Sequence, residues 1–278
     1  MTNLNNEPRK RFLALDTSTA VLGVAVTGNG ELLHEINASG ERNHSVHLLP
    51  IIEQALQASA TAADMIGGIA VGVGPGSYTG TRIAVTAAKT LAWAWNVPVT
   101  GVSSLHALAW GGYHAAALQQ ESGQADVTSA NGTTGPDWII PLIDARRGQA
   151  YTALFAADGD NPPQRLAPDA IRLMADWVRE LGERLKDAAA EGMMPGTLWF
   201  TGDTALHGSA ESLAPLAGIL GSVQALPYEL EGRWTGFLAE AGIYEECADI
   251  HVLIPNYTQL TEAEANLRRS SEGSLNQG

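Results

Sequence analysis

Residues 69–95 hold the segment that most limits what this chain can fold into. Ile69 to Val73 is an apolar run mixed with glycine, which reads as a buried strand. It enters Gly74-Pro75-Gly76-Ser77-Tyr78-Thr79-Gly80, and Thr79 or Gly80 opens a helix running to about Trp95. A strand that turns directly into a helix calls for a sheet with helices packed on it, hence an α/β fold. A strand-to-helix loop is also where an anion can meet free backbone N–H groups. The details argue against a phosphate cradle. No Gly-Lys-Ser/Thr closes the loop, and Thr79 stands where a third glycine of G-x-G-x-x-G should be. The plainer reading is a tight turn packed against a neighbouring segment.

The flanking sequence fits the same class. Phe12–Asp16, Val21–Val26 and Glu31–Ile36, with Thr27-Gly28-Asn29-Gly30 as a turn, predict a three-strand antiparallel meander. Asn43 can cap a helix starting at His44. Val97 to Val102 is a short buried strand, and Ser103 or Ser104 caps a helix through Ala117. Residues 119–137 are polar, aperiodic and rich in Gly, Ser and Thr, which predicts a linker. A second block follows. Trp138–Asp144 and Gln149–Phe155 read as strands around Ala145-Arg146-Arg147-Gly148, Asp169–Lys186 as a helix and Leu198–Thr201 as a strand. The expected division is a lobe over 1–118, the linker 119–137, a second lobe over 138–261 and a disordered tail over 262–278. No repeat is visible by residue identity, yet both blocks open with a strand ending in aspartate, Asp16 and Asp144.

Two helices carry more apolar surface than one sheet needs. In the helix from His44, Leu48, Leu49, Ile51, Ile52, Ala55 and Leu56 span roughly 160° of arc, against about 100° for an ordinary surface helix. Pro50 should loosen its first turns. From Thr81 to Trp95 only Arg82 and Lys89 are charged, seven residues apart on one face. The excess asks for a second apolar contact, from another helix or from a partner. His44 and His47 share a face, but no third ligand of suitable spacing accompanies them, so a metal site is not expected.

Charge narrows the partners. Sixteen Lys and Arg against thirty Asp and Glu leave 278 residues with a formal net charge of −14. Only Lys10, Lys89 and Lys186 are lysines, and no basic stripe marks a nucleic-acid groove. The apolar run after Arg9-Lys10-Arg11 ends at Asp16, too short for the roughly 7–15 residues of a secretory h-region. No run of about 18 apolar residues is present, so the expectation is a cytoplasmic protein without a membrane span. Cys247 stands alone, which excludes an intrachain disulfide. Ser18, Ser77 and Ser103 lack the G-x-S-x-G context of a hydrolase nucleophile. Asp16-Thr17-Ser18-Thr19 and Asp144-Ala145-Arg146-Arg147-Gly148 both follow buried strands, where a phosphate-facing loop could sit, and the arginine pair suits either anion binding or a solvated tip.

Several motifs now stand in order: Leu13 to Thr19, Asn43-His44-Ser45, Leu48-Leu49-Pro50, Gly72 to Arg82, Gly101 to Leu105 and Ile143 to Gly148. Together they closely resemble the bacterial TsaB family, also called YeaZ. The match runs from about residue 11 to 155, with weaker echoes at Thr201-Gly202-Asp203 and Pro255-Asn256-Tyr257. The departure is the 119–137 insertion, longer than usual for the family.

The resemblance implies an actin/sugar-kinase/Hsp70-like (ASKHA) fold of two related lobes, each a mixed sheet with helices. It implies a part in forming N6-threonylcarbamoyladenosine at position 37 of tRNAs that read codons beginning with A. In that family this chain is a partner, not the catalyst. The transferring subunit is a paralogue, TsaD, an ATPase, TsaE, joins the pair, and tRNA is met only through the complex. ATP and metal belong to those subunits, so no cofactor is expected here. The contact surface implied is the first two helices of the first lobe: His44, His47, Leu48, Ile51, Ile52, Ala55, Arg82, Val85, Thr86 and Lys89. The residues agree with this reduced role, because Arg146 and Arg147 stand where the superfamily's phosphate turns need glycine. The alternatives are an independent ASKHA-type small-molecule kinase or a glycoprotease-like hydrolase. A homodimer through the same helices is open.

Overall fold

The computed structural model describes residues 11–39, 44–121, 135–244 and 250–258, with the backbone alone for His44. Asn43, Cys247, most of the expected linker and the tail from 262 lie outside the described residues.

The first lobe holds strands β1 (Arg11–Asp16), β2 (Leu22–Gly28), β3 (Glu31–Ala38), β4 (Ile66–Gly72) and β5 (Val99–Val102). They lie in the order β3-β2-β1-β4-β5. β1, β2 and β3 pair antiparallel, as the meander predicted, while β4 and β5 add in parallel. Helix α1 (His44–Ala58) leads through a short 3-10 turn, Ala63–Met65, into β4, and α2 (Tyr78–Trp95) joins β4 to β5. The second lobe repeats the plan. Strands β6 (Asp137–Asp144), β7 (Gln149–Ala157), β8 (Gln164–Leu173), β9 (Leu198–Gly202) and β10 (Val223–Pro227) lie in the order β10-β9-β6-β7-β8. Again three strands pair antiparallel and two parallel. This is the two-lobed mixed α/β architecture expected of an ASKHA fold.

Beyond shifts of one or two residues at strand ends, three boundaries differ from the sequence reading. The helix expected from Asp169 begins only at Met174, as α4 (Met174–Ala190), because residues up to Leu173 pair with β7 as β8. Helix α3 (Ser104–Glu121) runs past Ala117 into the expected linker. At the other end of that stretch, Asp137 already belongs to β6.

The lobes interlock. α3 leaves β5 of the first sheet and packs on β6, β7 and β9 of the second. Helices α5 (Thr204–His207) and α6 (Ala210–Leu220) precede β10, and α7 (Gly232–Glu240), the last helix among the described residues, follows it and packs on β1 and β2 of the first. Gly232 makes the crossing close, since a side chain there would overlap the backbone of Gly23 and Val24. One core therefore spans both lobes, joining Ala14 and Ala25 to Leu105, Leu108, Ile139, Phe155 and Trp199. His106 of α3 sits in this seam with its Nε2 2.7 Å from the Pro163 carbonyl, and burial holds its pKa down to about 4. The neutral ring donates that hydrogen bond.

Candidate functional site: the α1–α2 face and the loops beneath it

Why α2 stands where it does follows from its ends. Ser77 caps it, its Oγ accepting from Gly80 N at 3.2 Å while Thr81 Oγ1 donates to the Ser77 carbonyl at 2.8 Å. Asn96 closes it in the left-handed region, its N–H returned to Ala92 and Trp93. Ala84, Ala88 and Ala92 lie fully inward, and their small size brings the helix down onto the sheet. α1 packs beside it, with Leu48, Ile52 and Ala55 inward.

The remaining surface is apolar and open. Val46, Leu49, Tyr78 and Trp93 are exposed, Trp93 by 76%. Between the helices runs a groove of about 570 Å³, floored by Leu48, Ile83 and Leu91 and edged by Leu49 and Tyr78. An exposed apolar face of this kind is where a partner, a membrane or a ligand can bind.

The structure sorts the ten residues expected at the contact. Leu48, Ile52, Ala55 and Val85 are buried in the lobe's own core, at most 4% exposed; Leu48 reaches only the floor of the groove and the other three hold up the surface from beneath. Arg82 and Thr86 are exposed; Ile51, His47 and Lys89 are half-buried. His44 lies on α1, its side chain outside the described set. Both cations of α2 already have intramolecular partners. Arg82 Nε donates to the Tyr257 hydroxyl at 2.9 Å and lies over the Tyr78 ring. Lys89 Nζ donates to the carbonyls of His251 and Leu253. The chain returns at 250–258 to make these bonds, with Asn256 N donating to the Val73 carbonyl and Leu253 buried. The contact expected from the sequence left out the exposed Val46, Leu49, Tyr78 and Trp93, and Tyr257, which holds Arg82. The i,i+3 pair Val46–Leu49, pointing away from the sheet-facing arc, was the available signal for α1.

Beneath the face, the glycine loop is closed. A side chain at Gly76 would overlap the Ser18 carbonyl and one at Gly80 the Thr17 carbonyl. Ser77 N donates to the Ser18 carbonyl at 2.7 Å, and Thr17 Oγ1 to the Gly80 carbonyl at 2.6 Å. The glycines serve packing against residues 17 and 18, as the plainer sequence reading had it. Asp16 is sealed with them. Its Oδ1 accepts from Ser18 N at 2.8 Å and its Oδ2 from Ser104 Oγ at 2.7 Å. Burial pushes its pKa up, while the bonds from Ser18 and Ser104 pull it back.

The second-lobe loop is built differently. Arg146, Arg147 and Gly148 all have left-handed φ angles, 65°, 55° and 74°. Asp144 Oδ1 accepts from Arg146 N at 3.0 Å and lies 3.2 Å from His207 Nε2, and Asp144 N donates to Asp203 Oδ2. Both arginines are exposed. No group of three or more His, Cys, Asp or Glu among the described residues is arranged to hold a metal ion. No described helix is long and apolar enough to cross a membrane.

Known proteins resemble this chain along nearly its whole length. A family model described as TsaD, tRNA N6-adenosine threonylcarbamoyltransferase, matches residues 31–213. The tRNA threonylcarbamoyladenosine biosynthesis protein TsaB of Bacillus subtilis is 35% identical over 91% of this chain and 96% of its own length. The protein of the same name from Escherichia coli is 30% identical over 68% of this chain and 72% of its own. Among solved structures, YeaZ from Pseudomonas aeruginosa superimposes with a TM-score of 0.59 at 22% identity, covering 89% of this chain and 99% of that one. With a relative 35% identical matched nearly end to end, a second matched over more than two thirds and the same two-lobed fold, this chain belongs to the TsaB family.

Proposed function

We propose that this chain works in the biosynthesis of tRNA threonylcarbamoyladenosine as a non-catalytic subunit, docking a TsaD-type paralogue on its α1–α2 face. The observation that carries this reading is the open apolar groove bordered by exposed Leu49 and Tyr78. A chain of net charge −14 is poorly suited to grip tRNA itself, so the nucleic acid meets the paralogue and a TsaE-type ATPase completes the assembly. The closed Asp16 loop supports placing nucleotide and metal chemistry on those other subunits.

Leu49→Glu tests the reading. Leu49 is 57% exposed, so the substitution leaves the lobe's own packing intact. In the complex it would bury an unpaired carboxylate, and affinity for a TsaD-type protein should fall at least a hundredfold by calorimetry, about 3 kcal/mol. Unchanged affinity with unchanged folding would place the contact elsewhere. Light scattering on the isolated chain reads whether the same face also pairs two copies.

A further inference from the structure

A second concavity lies on the opposite side of the first sheet, where α3 and α7 cross between the lobes. It has a volume of about 560 Å³. Its wall is aromatic. Trp110 and Trp234 lie with centroids 5.4 Å apart, Phe237 stands edge-on to Trp234, and His114 stacks on Trp234 at 4.8 Å. Its charged side chains are Asp160, from the β7–β8 loop, and Glu240, from the end of α7; no lysine or arginine lines it. Burial lowers the pKa of His114, so the ring stacked there is neutral.

One carboxylate oxygen in this wall is unanswered. Glu240 Oε2 accepts from Gly30 N at 2.7 Å, but Glu240 Oε1 has no hydrogen-bond partner among the described residues. A buried carboxylate oxygen calls for a donor or a counter-charge, which a water or a bound cation can supply. Aromatic faces attract cations through their quadrupole, and a carboxylate adds the counter-charge.

We propose that this concavity is a binding site for a small organic cation, an alkylated ammonium or a guanidinium, held by Trp110, Trp234 and Phe237 with Glu240 and Asp160 supplying the counter-charge. The proposal is independent of the α1–α2 docking face, which lies on another side of the lobe. Choline and agmatine serve as probes, with 3,3-dimethyl-1-butanol as the neutral analogue of choline. Calorimetry on the full chain should show saturable binding of at least one cation and at least tenfold weaker binding of the neutral analogue. Asp160→Asn combined with Glu240→Gln should weaken the cation at least tenfold and leave the thermal midpoint unchanged. If that variant melts early, Phe237→Leu supplies the same readout by removing one ring. Binding of neither cation, equal binding of choline and its neutral analogue, or full affinity in the folded variants would overturn the assignment.

Discussion

The Asp16 loop and the Asp144 loop occupy the same station in two sheets of the same topology, and they are held in opposite ways. Each follows the central strand of its sheet and turns it into an antiparallel hairpin. Asp16 is sealed: its carboxylate is satisfied by Ser18 and Ser104, with Gly76 and Gly80 pressed against the next two residues. Asp144 is partly open, beside His207, and its turn carries two arginines in a backbone region that disfavours side chains. The lesson is that topology repeats while close packing does not. What decides each loop is how closely a second segment presses on it: Gly76 and Gly80 leave no room beside residues 17 and 18, whereas Asp203 and His207 meet only Asp144 and leave the arginine turn exposed.

Matched glycine substitutions should break the comparison most visibly. Gly80→Ala would drive a methyl group into the Thr17 carbonyl, and it should cost about 3 kcal/mol in denaturant unfolding. Gly148→Ala meets only the end of the Leu173 side chain and carries only left-handed strain, about 1 kcal/mol. Equal losses would mean that the first loop is no tighter than the second.

Asp16→Asn sharpens the contrast through pH. The folded-state pKa of Asp16 is raised, so its contribution to stability is complete below the ordinary carboxylate pKa and lost as pH rises through the folded value. Asparagine does not titrate. The stability of the variant relative to the parent should therefore climb between pH 3.5 and pH 7, read by denaturant midpoints across that range. A flat difference would show that Asp16 is no harder to ionise in the fold than in the unfolded chain.

The smallest effect belongs to Arg147→Gly. It relieves one left-handed side chain but adds backbone freedom to the unfolded chain, and the two nearly cancel. A gain of about 0.5 kcal/mol is expected by thermal unfolding. A loss above 1 kcal/mol would mean that the exposed guanidinium makes a stabilising contact.

Local signals carried much of this fold. The meander, the strand–glycine–helix run and the strand pair around Gly148 are set by residues close in sequence, and all are where the pattern put them. The Asp169–Leu173 stretch is different. It reads equally as a helix start, and only pairing with β7 makes it strand. On α1 and α2, periodicity marked the apolar arcs but not which residues of each arc the lobe's own core buries. An apolar arc says that a helix has two neighbours, not which residues meet which, so Leu48 and Val85 were assigned outward although the sheet buries them. The ties of Arg82 and Lys89 to residues 250–257 span more than 160 positions, beyond any local pattern.

The exchange of helices between the lobes has a consequence for synthesis of the chain. β2 ends at residue 28, and the helix that covers its inner side begins at residue 232. At the usual pace of about 5–20 residues per second, roughly 10–40 s separate the emergence of the two from the ribosome. Through that interval the nascent first sheet presents Ala14, Ala25 and their neighbours to water on one side. Chaperone capture is therefore expected in this window, and a ribosome stalled before residue 232 should display a chain far easier to digest than one stalled after the end of α7.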